Sequence, residues 1–251
     1  MNLLKKIIFN IYFILKIFLY YILYMTLSTI LGKLTNTENN ELNNDIYNGI
    51  SAYKDAYTLI GYKRLNNIHF FIENILKHDI EGDFIETGVY RGGATIFMAY
   101  LNKHYNLNKK VFVADSFKGL PCPDDRDKFD NGLQNHCLGD FSVSLDSVKK
   151  NFEDFNLLDD NIIFIEGFFD TSLKNADIGK LSILRLDCDL YSSTMEVLDI
   201  LYDKVSLGGY IIVDDMCLPG CNKAIVDFRN KKNIQSEIHI IDWTGIYWIK
   251  E

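Results

Sequence analysis

Leu181-Ser182-Ile183-Leu184-Arg185-Leu186-Asp187-Cys188-Asp189-Leu190-Tyr191 and Gly208-Gly209-Tyr210-Ile211-Ile212-Val213-Asp214-Asp215 are the two runs that decide the fold. Each carries a short, mostly apolar stretch, Leu181–Leu186 and Tyr210–Val213, that ends in carboxylates. Stretches of this length and composition form buried strands. Carboxylates placed where buried strands end sit on the rim of a sheet, where open α/β folds bind ligands. Asp187, Asp189, Asp214 and Asp215 meeting there would repel one another unless a cation joined them.

Upstream, Gly82-Asp83-Phe84-Ile85-Glu86-Thr87-Gly88-Val89-Tyr90-Arg91-Gly92-Gly93-Ala94 reads as a short strand, a Gly-rich turn and an apolar helix over Ala94–Leu101. Glycines in such a turn let a ligand approach the backbone. Tyr90 stands where a dinucleotide fingerprint needs its second glycine, which weakens that reading. An acid ending the strand, followed by Thr-Gly, better fits the amino-acid end of S-adenosylmethionine. A second strand, Val111–Ala114, ends in Asp115-Ser116, about 27 residues after the turn. That spacing suits an acceptor for both ribose hydroxyls; Asp-Ser is also helix-capping chemistry, and the two roles are compatible.

Further along, Pro123–Gly139 is polar and aperiodic and is expected to be a long surface loop. Phe141–Phe155 contains a helix with Ser144 as its cap. Strand Ile162–Ile165 delivers Glu166-Gly167-Phe168-Phe169, whose aromatics suit either the wall of an adenine slot or the core. The chain ends in a helix, Asn222–Asn230, and two runs, Glu237–Asp242 and Trp243–Ile249, joined near Thr244-Gly245. Strands alternating with helices, then two consecutive strands, give an α/β fold: a mostly parallel seven-stranded Rossmann-like sheet with one antiparallel strand and helices on both faces. That is the layout of class I S-adenosylmethionine-dependent methyltransferases.

The 251 residues suffice for one substantial core, with 48% hydrophobic and 24% charged residues and three prolines. A net charge of −8 argues against nucleic acid as a partner. The five cysteines, Cys122, Cys137, Cys188, Cys217 and Cys221, form no Cys-x-x-Cys pair and are expected to be reduced thiols in a cytosol-facing protein.

Ile7–Leu31 is nearly all apolar. As a helix it would be about 37 Å long, enough for the ~30 Å hydrocarbon core. Lys16 near its middle would cost roughly 2.5–3.5 kcal/mol there. Lys5 and Lys6 would keep the N-terminus inside and export everything after a single span, away from a cytosolic cofactor. Tyr12, Lys16, Tyr20, Tyr24 and Ser28 recur every fourth residue, a stripe suited to lying in a membrane interface. The absence of an A-x-A-like site argues against a cleaved signal peptide. Residues 1–35 are expected to contact the cytoplasmic face of a membrane, with an oligomerisation helix as the alternative. An Asn-rich linker, 36–50, and one catalytic domain, 51–251, follow; a homo-oligomer is expected.

From about Tyr57 to Lys250 the chain resembles the macrocin O-methyltransferase family, metal-dependent enzymes that methylate sugar hydroxyls. The motifs that carry the resemblance are Thr58-Leu59-Ile60-Gly61-Tyr62-Lys63-Arg64-Leu65, Gly82–Ala94, Asp115-Ser116-Phe117-Lys118-Gly119-Leu120-Pro121, Leu184–Met195, Gly208–Asp215 and Asp242-Trp243-Thr244-Gly245-Ile246-Tyr247-Trp248. The resemblance implies that Asp187, Asp214 and Asp215 bind Mg²⁺ and that Asp189 is the general base. The candidate contacts for S-adenosyl-L-methionine are Glu86, Thr87, Gly88, Tyr90, Asp115, Ser116, Gly167, Phe168 and Asp187. The residues alone favour a packing helix, with apolar residues at helical spacing over Ile68–Lys77 and Tyr57–Leu65 leading into it; the resemblance makes Thr58–Arg64 a substrate-side lid. Cys188 stands where the family usually has Gly, and the apolar N-terminal segment sets the chain apart from antibiotic-tailoring members.

The expected function is therefore Mg²⁺-dependent methyl transfer to a sugar hydroxyl, of a glycan or glycoconjugate. Two other readings are a nucleotide-sugar glycosyltransferase using Asp187-Cys188-Asp189 as an Asp-x-Asp motif, and a membrane-tethered interaction domain without activity. The Asp quartet argues against the last, since a non-catalytic domain has no need for these charges.

Overall fold

The computed structural model describes residues 56–130 and 141–251. The apolar segment, the linker and Cys137 lie outside them. Seven strands, β1 (Asp83–Thr87), β2 (Val111–Asp115), β3 (Ile162–Glu166), β4 (Leu181–Leu186), β5 (Val205–Val213), β6 (His239–Ile240) and β7 (Ile246–Ile249), form one sheet. Their order is β3-β2-β1-β4-β5-β7-β6. β7 runs antiparallel to both neighbours, and all other pairs are parallel. The sheet is the one the sequence predicts, with β6 reduced to two residues.

β4 is buried along its whole length and lies between β1 and β5. A strand covered on both faces needs a continuous apolar run rather than an alternating one. Successive connections run outward from β1 to β3 and then return to β4, so the strand order reverses between β1 and β4. Their carboxyl ends open on a crevice at that point, and both acidic runs finish there.

Among the described residues, six α-helices flank the sheet: α1 (Tyr62–His78), α2 (Gly93–His104), α3 (Leu145–Asp154), α4 (Phe169–Asn175), α5 (Tyr191–Leu201) and α6 (Pro219–Lys232). Leu65, Ile68, Phe71, Ile72 and Ile75 of α1 pack in one cluster with Phe97 of α2, Phe152 of α3 and Phe84, Val113, Ile183 and Ile212 of the strands. Each such side chain contributes about 1.5–3 kcal/mol on full burial. The opposite face carries Ile85, Leu184 and Ile211, with α4 and α5 against the sheet and α6 packed on α5. α6 has Pro219 in its first turn and ends at Asn233 in the left-handed conformation, with Ile234 N–H bonding back to the Arg229 carbonyl at 2.9 Å. Among the described residues, no helix is long and apolar enough to cross a membrane.

Two expectations change. α1 begins at Tyr62 because the apolar stripe extends back to Leu65, so the Thr58–Arg64 loop ends at Gly61 and Arg64 is helical. The described part of Pro123–Gly139 is more than surface: Asp125–Asp127 forms a 3₁₀ turn closed by a capping box, and Asp127 and Asp130 are buried.

Candidate active site

The carboxyl ends of β1, β2, β4 and β5 line one cavity of about 520 Å³, the size of a small-molecule site. It takes in Glu86, Gly88, Tyr90, Asp115, Ser116, Gly167, Phe168, Asp187, Asp189, Asp214 and Asp215, and so brings together every sequence-predicted site residue except Thr87. Thr87 is fully buried. Its hydroxyl donates to the Arg185 carbonyl at 3.2 Å and contacts the Cys188 thiol at 3.3 Å. It holds the floor of the site and does not reach the cavity.

The acidic centre is assembled from two strand ends in register, Thr87 beside Leu186 and Leu186 beside Val213. Oxygens of Asp187, Asp214 and Asp215 approach within 4.8 Å of one another. Asp189 does not continue the extended strand. β4 stops at Leu186, and Asp189 takes the left-handed conformation, φ 57°. Its backbone N–H donates to Asp215 Oδ2 at 3.3 Å, which brings the two acidic turns together by backbone rather than by strand periodicity. Asp189, not Cys188, carries the positive φ, so the Gly-to-Cys difference needs no backbone change. The Cys188 side chain fills the space against Thr87.

The residue whose role the sequence reading missed is Arg185. Its guanidinium is fully buried and donates to Glu86 Oε1 through Nη1, to Asp187 Oδ2 at 2.9 Å and to Asp214 Oδ1 through Nη2. Arg64 donates to the other oxygen of Asp214 and to Asp242 Oδ2 at 2.7 Å. An arginine inside an apolar strand was the available signal, since a buried charge must be paired.

Two guanidiniums face Glu86, Asp187, Asp189, Asp214, Asp215 and Asp242, so the centre stays strongly negative. Burial pushes the Glu86 carboxyl up to about 7 despite Arg185 and the hydrogen bond from Thr95. Burial likewise raises Asp214 to about 6, against the pull of Arg185. Asp215 is raised by burial and then by the charges of Asp187, Asp189 and Asp214, against the hydrogen bond from the Asp189 N–H. Burial also acts on Asp242, but hydrogen bonds from Arg64, Gly245 and Thr244 outweigh it and leave the carboxyl below its ordinary value.

This donor set suits a hard divalent cation. It offers only oxygen, it carries excess negative charge, and Asp187 and Asp215 keep accepting capacity toward the cavity. The other half of the cavity suits a nucleoside. Asp115 accepts the Val89 N–H on Oδ2 and the Phe117 N–H on Oδ1, both at 2.8 Å, and so fixes the Gly-rich turn to the end of β2. No helix starts at Ser116, whose hydroxyl donates to the Gly119 carbonyl at 2.7 Å. Gly88, φ 86°, is required by the protein itself: a Cβ there would overlap the Asp187 carbonyl oxygen. Thr58, Leu59, Ile60 and Arg64 also line the cavity.

Residues 6–250 match the family model described as Macrocin-O-methyltransferase (TylF). The chain is similar to 8-demethyl-8-(2,3-dimethoxy-alpha-L-rhamnosyl)-tetracenomycin-C 4'-O-methyltransferase of Streptomyces olivaceus, 41% identical over 77% of this chain and 75% of that protein. It is 41% identical to Mycinamicin III 3''-O-methyltransferase of Micromonospora griseorubida over 77% of this chain and 78% of that one. Among solved structures, the O-methyltransferase NovP superposes with a TM-score of 0.73 at 40% identity, covering 78% of this chain and 83% of NovP.

Proposed function

The chain belongs to the TylF macrocin O-methyltransferase family and is an S-adenosylmethionine-dependent O-methyltransferase, and from that premise we propose that it methylates a sugar hydroxyl of a glycan or glycoconjugate in a Mg²⁺-dependent reaction. The carrying observation is the convergence of Asp187, Asp214 and Asp215 within 4.8 Å in the cavity that also holds Glu86, Gly88 and Asp115. The curated relatives are named for methylation of sugar-bearing compounds.

A bound Mg²⁺ lowers the pKa of an alcohol and orients its oxygen, and S-adenosylmethionine supplies the electrophilic methyl group. Asp187, Asp214 and Asp215 would hold the metal through carboxylate oxygens. Asp189 takes the hydroxyl proton, since it lines the cavity and its backbone is tied to Asp215. Asp115 and Ser116 receive the ribose, Gly88 and Tyr90 the amino-acid end, and Gly167 and Phe168 the adenine. Glu86 acts from beneath, because Arg185 and Thr95 already engage its two oxygens. Thr58–Gly61 with Arg64 forms the acceptor-side rim. Residues 7–31 keep the enzyme at a membrane surface, near lipid-linked or cell-surface sugars; their composition is the support for that placement.

The test is transfer of labelled methyl from S-adenosylmethionine to glycan extracts of the source organism, with Mg²⁺ and with EDTA. Label in a sugar fraction, lost with EDTA and restored by Mg²⁺, is expected. Full transfer in EDTA removes the metal role, and label confined to non-sugar material removes the acceptor class.

A further inference from the structure

The two helices that follow the acidic turns, α5 after Asp187–Asp189 and α6 after Asp214–Asp215, begin without caps of their own. Their N-cap residues are Leu190 and Leu218, neither of which makes a side-chain cap. The acceptors come instead from the distant segment Asp124–Asp130. Asp127, 1% exposed, accepts the Ser192 N–H on Oδ1 at 2.8 Å and the Ser192 hydroxyl on Oδ2 at 3.0 Å. Asp130, 2% exposed, accepts the Tyr191 N–H on Oδ2 at 3.1 Å. Its carboxylate also lies against Gly220 in the first turn of α6, where any Cβ would overlap it. Carboxylates at helix N-termini meet unsatisfied N–H groups and the positive end of the dipole, so these contacts are favourable while buried.

The segment is braced for this task. Asp127 Oδ2 also accepts the Asp124 N–H at 2.9 Å, which closes the 3₁₀ turn. The Phe129 ring sits 6.1 Å from that of Tyr191. Arg126, inside the same turn, pairs with Glu196 of α5 at 2.9 Å.

Resting on the methyltransferase reading above, we propose that Asp127 and Asp130 are positioning residues that clasp the N-termini of α5 and α6 together and so set the distance between the Asp187–Asp189 and Asp214–Asp215 turns. Asp127 fixes Ser192, three residues beyond Asp189. Asp130 spans Tyr191 and Gly220, so one carboxylate touches both helices. A clamp that merely stabilised the fold would lower the melting temperature and leave the affinity of the folded site for metal unchanged. A clasp that sets ligand spacing changes that affinity, because three oxygens must converge on one ion.

The experiment uses the full chain and Mn²⁺ alone as probe, with binding followed by calorimetry and amide exchange followed across 186–195. Asp127→Ala and Asp130→Ala, each shown to be folded by circular dichroism, are expected to weaken Mn²⁺ binding about tenfold or more, as loss of residues that orient ligands does. Exchange at Tyr191 and Ser192 accelerates in the same variants. Asp130→Asn, which keeps an acceptor oxygen, is expected to recover part of the affinity. Folded variants that bind Mn²⁺ within about twofold of the parent overturn the clasp while the metal reading stands. A parent chain that binds no Mn²⁺ overturns both. If the alanine variants do not fold, Asp127→Asn and Ser192→Ala are judged by the same affinity criterion.

Discussion

Arg185 Nη2 and Asp214 Oδ1, at the ends of neighbouring strands β4 and β5, form an ion pair almost wholly removed from water. The same guanidinium also serves Glu86 and Asp187. Even with Arg64 on the other oxygen of Asp214, the carboxylates outnumber the guanidiniums, which leaves the centre short of positive charge. A divalent ion at Asp187, Asp214 and Asp215 would supply it. The arginine therefore makes the acidic centre foldable, and a metal would make it reactive.

Replacing Arg185 tests this directly. Arg185→Met leaves Glu86 and Asp214 buried without their shared partner, and removal of one side of a buried pair costs about 3–5 kcal/mol. Urea unfolding should show that loss. Arg185→Lys should recover little of it, because an ammonium cannot present the planar fork that reaches all three carboxylates. A folded Arg185→Met chain of unchanged stability would remove the arginine from this role.

Proton uptake gives a second expectation. Glu86 and Asp214 are raised to about 7 and about 6 from ordinary values of 4.5 and 3.8. The folded chain therefore binds protons that the unfolded chain has released between pH 4.5 and 7. The contribution of Glu86 is fully present below pH 4.5 and is lost as pH rises through 7, and that of Asp214 is fully present below pH 3.8 and is lost through 6. For Glu86 alone the effect is on the order of 3 kcal/mol. The metal-free protein should melt several degrees lower at pH 8 than at pH 5.5, and Mg²⁺ should restore the difference mainly at the higher pH. Scanning calorimetry at both pH values reads this out, and a melting temperature that rises with pH in EDTA contradicts it.

Asp189→Asn addresses proton transfer. The amide keeps the size and the left-handed backbone but cannot accept the hydroxyl proton. Cofactor affinity should stay near the parent value by calorimetry, while turnover falls about 10²–10⁴-fold. Near-normal turnover would transfer the base role elsewhere.

Deleting residues 1–35 separates the apolar segment from the chemistry. The truncated chain should move from the membrane to the supernatant fraction on sedimentation of cell lysates and keep its cofactor affinity. An unchanged distribution removes the membrane role from residues 7–31.

Much of this architecture is legible in the sequence because its strands are buried and end in chemistry-bearing residues. Leu181–Leu186 is a strand at the predicted boundaries, and Ser144 caps α3, accepting the Ser147 N–H at 3.2 Å. What escaped depends on contacts between distant residues. Arg185 looks like one polar interruption until Glu86, 99 positions away, is beside it. Asp127 and Asp130 look like loop charges because their helix partners lie 65 and 61 positions on. The start of α1 was missed because Gly61 offers no side-chain cap to mark it. The placing of Asp189 depends on a left-handed backbone and a hydrogen bond to Asp215, 26 positions on, which no strand periodicity marks.

Gly88 joins the cofactor turn to the acidic turn, and its replacement should damage both. The backbone there is left-handed, φ 86°, and the site of a Cβ is filled by the carbonyl oxygen of Asp187. Gly88→Ala must strain the turn, at about 1–2 kcal/mol for the left-handed residue, or displace Asp187. Displacement moves a proposed metal ligand and the Gly-rich turn at once, since Gly88 N–H also donates to the Ala114 carbonyl at 2.9 Å. Affinity for S-adenosylmethionine and for Mn²⁺ should therefore fall together in Gly88→Ala. Glycine at 92, also at positive φ but facing Val148 and Phe152 of α3, provides the control. Gly92→Ala should lower stability and spare the metal affinity of the folded fraction. Calorimetry on both variants decides the point: a Gly88→Ala chain that loses cofactor binding yet holds Mn²⁺ normally would show that the two turns are not mechanically coupled through this glycine.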